Sequence, residues 1–217
     1  MGAYKNLPYF LGSDLVSVAH QLNYSASNIL ILEGKIEALR IKYPDVYQAL
    51  ISCRHNRDTR SPLEYAQDLV ASWLFEDYIC DILSSNGLDI SKAGADKERV
   101  ILSSRNVSAS SDTSVTYNGK TRLMEIMTDY GGYWARNGVI DLRDSKFNEL
   151  RDTNSIFLGI STVDGKFILL DCSHEIKARY IRSHRPYGFK PAYQISCVGE
   201  MQDYSPQKLE CSLKKMF

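Results

Sequence analysis

The chain has 217 residues, with 26 Lys and Arg balancing 26 Asp and Glu. Its apolar share of 44% and charged share of 24% match ordinary globular usage, which excludes collagen-like and disordered chains. No window approaches about 18 consecutive apolar residues. The N-terminus MGAYKNLPYF also lacks a basic stretch ahead of an apolar run, so neither a membrane-spanning helix nor a secretory signal is expected.

Five cysteines (Cys53, Cys80, Cys172, Cys197, Cys211) contain no CxxC pair, and the four histidines share no ligand spacing. That pattern reads as reduced thiols of a cytoplasmic protein, not as a disulfide framework or a zinc site. The length suits a single domain over 1–217: a helical layer at 1–60, a core at 61–171 and a C-terminal segment at 172–217.

The first 85 residues read as helices. Ser27 is placed to cap a segment whose Ile29, Leu32, Ile36, Leu39 and Tyr43 recur every three or four positions, and Pro44 starts another segment through Cys53. Ser61-Pro62-Leu63-Glu64 is a capping box, and Gly87 lies where its helix should stop, which predicts one long helix from about 62 to 84. After Gly87 the period changes. Runs at 100–102, 113–117, 121–127, 156–160, 167–170 and 193–198 are short, β-rich and bounded by turn residues, while 141–151 has helical spacing. The expected fold is therefore α/β, with a mixed central sheet flanked by helices and an N-terminal helical layer.

Asn118-Gly119 predicts a two-residue hairpin loop, because both central positions of a type I′ turn need positive φ. Counting back from Tyr117 facing Lys120 sets Asp112 opposite Glu125, with Cβ atoms about 5 Å apart. Two carboxylates that close repel unless a divalent cation lies between them; otherwise they are solvated rim residues. Residues 176–191 carry Lys177, Arg179, Arg182, Arg185 and Lys190, without an acid, among Tyr180, Tyr187 and Phe189. Such a run is either a solvated face or a nucleic-acid contact, with a second basic cluster at 54–60. Tyr130 to Trp134 reads as a loop near the substrate or as aromatic core packing.

The stretch from 61 to 171 resembles the PD-(D/E)xK nuclease superfamily, especially type II restriction endonucleases. A helix carries Glu76, Gly94-Ala95-Asp96-Lys97 follows, Asp112 opens a hairpin, Glu125 lies on its second strand, and a helix and two strands come after. The resemblance implies a restriction-endonuclease-like fold and an Mg²⁺-dependent enzyme that cuts double-stranded DNA as a homodimer. It implies metal ligation by Asp112 and Glu125, and a second-shell or second-metal contact by Glu76. Met127 occupies the place usual for Lys, and Lys146 on the following helix is the candidate substitute, or else a solvent-facing helix lysine. Arg136 and Arg143 are poorer substitutes, being permanently charged. Arg136 and the five cations of 176–191 are the candidate DNA contacts, and Asp129 is a further possible ligand. Two other readings remain: a repair or recombination nuclease of the same fold, and a non-catalytic DNA-binding protein, which Met127 favours.

Overall fold

The fold is described from a computed structural model for residues 3–53, 60–94, 97–101 and 111–217. Most of the basic cluster at 54–60, Ala95-Asp96 and Leu102 lie outside the described residues. The chain divides into two compact units: the described residues up to Asp81 with the short stretch from Glu98, and Ile82–Lys97 with the described residues from Ser111 onward.

The first unit is helical. After a 3-10 turn at Ala3–Asn6 come α1 (Leu7–Leu11), α2 (Leu15–Gln21), α3 (Ala26–Leu32), α4 (Ile36–Lys42), α5 (Pro44–Cys53) and α6 (Pro62–Ser85), the last counted here up to Asp81. The capping box forms as the residues dictate: Ser61 N donates to Glu64 Oε2 at 2.8 Å and Glu64 N to Ser61 Oγ at 3.2 Å. The single helix expected from Ser27 to Tyr43 is two helices. Ser25, not Ser27, accepts from Asn28 N, and α3 ends in a Schellman motif with Gly34 at φ 71° and Lys35 N donating to Leu30 O. Helical periodicity survives such a break because the apolar residues on both sides still face one core.

That core gathers Ile31, Leu39, Leu50, Val70 and Trp73. Ile101 joins it and belongs to no strand, so the strand expected at 100–102 is absent among the described residues. Beside it, Arg99 donates to Asp77 Oδ1 at 2.6 Å and lies 2.9 Å from Glu76 Oε2, while Tyr24 Oη donates to Asp77 Oδ2 at 2.8 Å.

The second unit contains β1 (Asp89–Lys92), β2 (Thr113–Tyr117), β3 (Lys120–Asp129), α7 (Tyr133–Asn137), β4 (Val139–Arg143), α8 (Asp144–Asp152), β5 (Ile156–Ser161), β6 (Lys166–Asp171), β7 (Ala178–His184), a 3-10 turn (Arg185–Tyr187), β8 (Lys190–Ser196), β9 (Gln202–Asp203) and α9 (Pro206–Lys214). Six strands form a mixed sheet in the order β1-β2-β3-β5-β6-β9. Here β3 and β5 are parallel, and β1, β2 and β3 form an antiparallel meander. A separate antiparallel sheet has the order β4-β8-β7.

The helix expected at 141–151 starts only at Asp144, because 139–143 is a strand paired with β8. Leu142 is buried from a strand and Phe147 and Leu150 from α8, so apolar residues of two elements mimicked one helical stripe. Phe147 and Leu150 pack with Trp134, Phe157, Ile168 and Ile195 in the core of this unit. Gly159 makes this packing possible, since a Cβ there would meet Ile168 Cγ2 at 2.9 Å and the Trp134 ring at 3.0 Å. The aromatic run at Tyr130–Trp134 thus contributes to the core through Trp134, which is 3% exposed.

Among the described residues no helix is long and apolar enough to cross a membrane, and Cys80, Cys172, Cys197 and Cys211 form no disulfide.

Candidate functional site

The β2–β3 hairpin turns at Asn118 (φ 50°) and Gly119 (φ 74°), the two left-handed residues a type I′ loop requires. Tyr117 pairs with Lys120 and Thr113 with Met124, so the next step out of the ladder brings Asp112 to Glu125, whose carboxyl feels the Asp112 charge. Asp112 stands one residue before β2. Its carbonyl accepts from Ala93 N at 2.8 Å, and its Oδ2 accepts from Ile126 N at 3.1 Å. The carboxylate is thereby held against the peptide that follows Glu125.

Helix α8 brings the cation. Lys146, in its first turn, donates from Nζ to Glu125 Oε2 at 2.9 Å, and Nζ lies 3.7 Å from Glu149 Oε2. Glu125 is 13% exposed, Lys146 22% and Glu149 20%, so Lys146 is not a free solvent-facing lysine. Ser111 Oγ lies 3.5 Å from Glu149 Oε1 and 3.3 Å from Ser155 Oγ, while Glu149 Oε2 is buried with no hydrogen-bond partner among the described residues.

Glu125 and Glu149 thus flank one ammonium, and the Asp112 charge is felt at Glu125. Burial, then the neighbouring Asp112 charge, raises the Glu125 carboxyl to about 8; Lys146 opposes the shift but does not cancel it. Among the described residues no group of three or more His, Cys, Asp and Glu side chains is placed to hold a metal ion by itself. The Asp112–Glu125 pair offers hard oxygen donors of the kind Mg²⁺ takes from one or two carboxylates, completing its shell with water and phosphate.

Glu76, Asp129, Arg136 and Arg143 each have partners of their own. Glu76 belongs to the helical unit, with its Oε2 on Arg99. Asp129 is 6% exposed and accepts from Gly131 N at 3.0 Å and Trp134 N at 2.8 Å, so its oxygens anchor the chain entering α7. Arg136 donates to Gly131 O, and Arg143 stacks 5.3 Å from the Tyr187 ring. From the basic cluster at 54–60, Arg60 pairs with Asp68 at 2.6 Å.

Lys177, Arg179, Arg182, Arg185 and Lys190 are all exposed, on or beside the β7–β8 hairpin. None of the five makes an ion pair among the described residues. β7 itself was not anticipated: its cations hide the strand alternation that its register with β8 reveals. The hairpin loop is tied down by Gly188 N donating to Arg185 O and Phe189 N to His184 O, each at 3.0 Å. Phe189 has φ 65°, a left-handed backbone that costs a bulky residue about 1–3 kcal/mol.

Sequence reasoning missed Glu149, although its i+3 spacing from Lys146 on one helix face was a usable signal. It also missed a buried pair, Asp141 and His184. Asp141 accepts from Tyr133 Oη at 2.8 Å and Gln194 Nε2 at 3.0 Å, and its Oδ2 lies 3.0 Å from His184 Nε2. Asp141, His184 and Tyr133 line a cavity of about 160 Å³ beside Met127 and Trp134. Nothing in the spacing of residues 141 and 184 announces a contact across a sheet.

No protein-family model matches this chain, and no curated protein does.

Proposed function

We propose that this chain is an Mg²⁺-dependent DNA endonuclease of the PD-(D/E)xK superfamily, a type II restriction enzyme that dimerises on a short palindrome in double-stranded DNA. The observation that carries the reading is the trio Asp112, Glu125 and Lys146, two carboxylates side by side on a hairpin with an ammonium 2.9 Å from one of them. The order of elements supports it: an Asp opening a hairpin, an acid on the second strand, a helix, then two further strands of the same mixed sheet.

Asp112 and Glu125 would hold the cation. When bound, it would lower the pKa of an attacking water and offset charge developing on the phosphate. The chain's own residues do the rest. The Ile126 amide fixes the Asp112 carboxylate, Glu149 and Glu125 hold Lys146 over the site, and Lys146 supplies the positive charge that Met127 cannot. Exposed cations on β7 and its loop would grip phosphates, and two-fold symmetry of a dimer would match a palindrome so that each subunit cuts one strand.

A second reading, a DNA-binding protein without activity, is favoured by Met127, which packs against the hydrophobic core at the position usual for the motif lysine. Incubation of a fully sequenced plasmid with the protein and Mg²⁺ separates the readings. Discrete fragments are expected; a smear would indicate a nuclease without sequence choice, and intact plasmid that is nevertheless bound would indicate the inactive protein.

A further inference from the structure

Phe189 combines three properties that the fold alone does not reward. It is 68% exposed, its backbone is left-handed, and it lies between Arg185 and Lys190. Single exposed apolar residues are common on protein surfaces and need no explanation. A bulky residue held in a strained conformation with its ring in water does need one, because glycine would satisfy the same turn without strain.

The loop is also tied to the protein. The 3-10 turn at Arg185–Tyr187 is closed by the Gly188 and Phe189 amides, Tyr187 Oη donates to Asp141 O, and Arg143 covers the Tyr187 ring. A flexible loop could fold Phe189 back onto the protein, whereas this one holds the ring outward. On the same hairpin Tyr180 is 52% exposed, and Arg179 and Arg182 make no ion pair among the described residues.

An outward aromatic ring between cations that pair with no acid among the described residues is complementary to a ligand with flat apolar faces spaced between negative charges. Nucleic acid has that chemistry: the base presents a π-face and its flanking phosphates meet Arg and Lys. We propose that Phe189 is a wedge that inserts between adjacent base pairs of duplex DNA, with Arg185 and Lys190 on the phosphates either side, so that binding unstacks one base step and kinks the helix. This inference rests on the DNA-binding reading above but not on cleavage.

The test uses the full-length protein in Ca²⁺ at low salt, with a mixed-sequence duplex in which 2-aminopurine replaces adenine, a base whose fluorescence rises when it unstacks. Wild-type protein should bind and brighten the duplex. Phe189→Ala should bind about tenfold more weakly and give no brightening at saturation. Phe189→Trp should keep both, and Arg182→Ala should weaken binding yet brighten fully once saturated. Phe189→Gly should melt at a higher temperature than wild type while losing the signal, which separates a functional role from a structural one. Equal brightening by Phe189→Ala, or wild-type binding without brightening, would overturn the wedge while leaving DNA binding intact. A change of oligomeric state in Phe189→Ala would overturn it in favour of a contact between copies of this chain. Absence of any DNA binding by the wild type would overturn both the wedge and the proposed function.

Discussion

Lys146 Nζ and Glu125 Oε2 lie 2.9 Å apart, joining the first turn of α8 to the middle of β3. The pair exists because β3 and β5 run parallel, which forces a crossover between them, and α8 is part of that crossover. A lysine on the crossover helix can therefore reach the strand acid that a lysine two residues along the strand would otherwise flank.

The first consequence concerns Lys146→Ala. If Lys146 supplies the site's positive charge, the plasmid-cleavage rate should fall about 10²- to 10³-fold, the range for loss of one electrostatic donor. DNA binding measured in Ca²⁺ should change by less than threefold. A variant that cuts at the wild-type rate would remove Lys146 from the mechanism and direct attention to Arg136 or Arg143.

Asp112→Ala and Glu125→Ala should each abolish cleavage while leaving DNA affinity in Ca²⁺ largely intact, since metal ligation serves the chemistry more than the docking. Glu76→Gln is the contrasting case. Glu76 is paired with Arg99 and only 15% exposed, so this change should lower the melting temperature. Near-native cleavage by either of the first two variants would eliminate the proposed centre.

How legible this site was follows from the range of each signal. The hairpin register depends on two adjacent residues, Asn118 and Gly119, and on period-two pairing, both readable locally, so Asp112 opposite Glu125 could be derived from the sequence. Lys146 required only that a helix follow the hairpin. Glu149 was within reach by its i+3 spacing. Strand β4 was missed because Leu142 joined Phe147 and Leu150 in an apparent helical stripe, and β1 because Asp89–Lys92 is polar and mostly exposed. The Asp141–His184 contact depends on pairing among β4, β8 and β7, which no local pattern encodes.

Stability should depend on pH through Glu125. Its carboxyl is raised from 4.5 to about 8 in the folded protein. Between those values the folded state binds the proton more firmly than the unfolded state, so stability falls as pH rises through that window. Glu125→Gln, which keeps the shape and removes the charge, should flatten the decline in melting temperature between pH 5 and pH 8 by comparison with wild type. Mg²⁺ should raise the wild-type melting temperature at the alkaline end and have little effect on Glu125→Gln. Parallel wild-type and variant curves across that window would show that Glu125 is ionised throughout.

The basic hairpin yields a prediction whose form identifies the kind of contact. Arg182 and Arg185 are exposed on β7 and its loop without ion pairs among the described residues, so replacing either by Ala should cost little folding stability. Each phosphate a cation neutralises contributes about 0.9 to the slope of log affinity against log salt. If Arg182 meets a phosphate, Arg182→Ala should lower affinity for every duplex and reduce that slope by about one. If Arg185 instead reads a base edge, Arg185→Ala should leave the slope nearly unchanged and lose about 1–3 kcal/mol of discrimination at one position of the site. Titrating each variant against cognate and scrambled duplexes at several salt concentrations distinguishes the two. If neither variant shifts affinity or slope at any concentration, β7 and its loop are not the DNA-binding face.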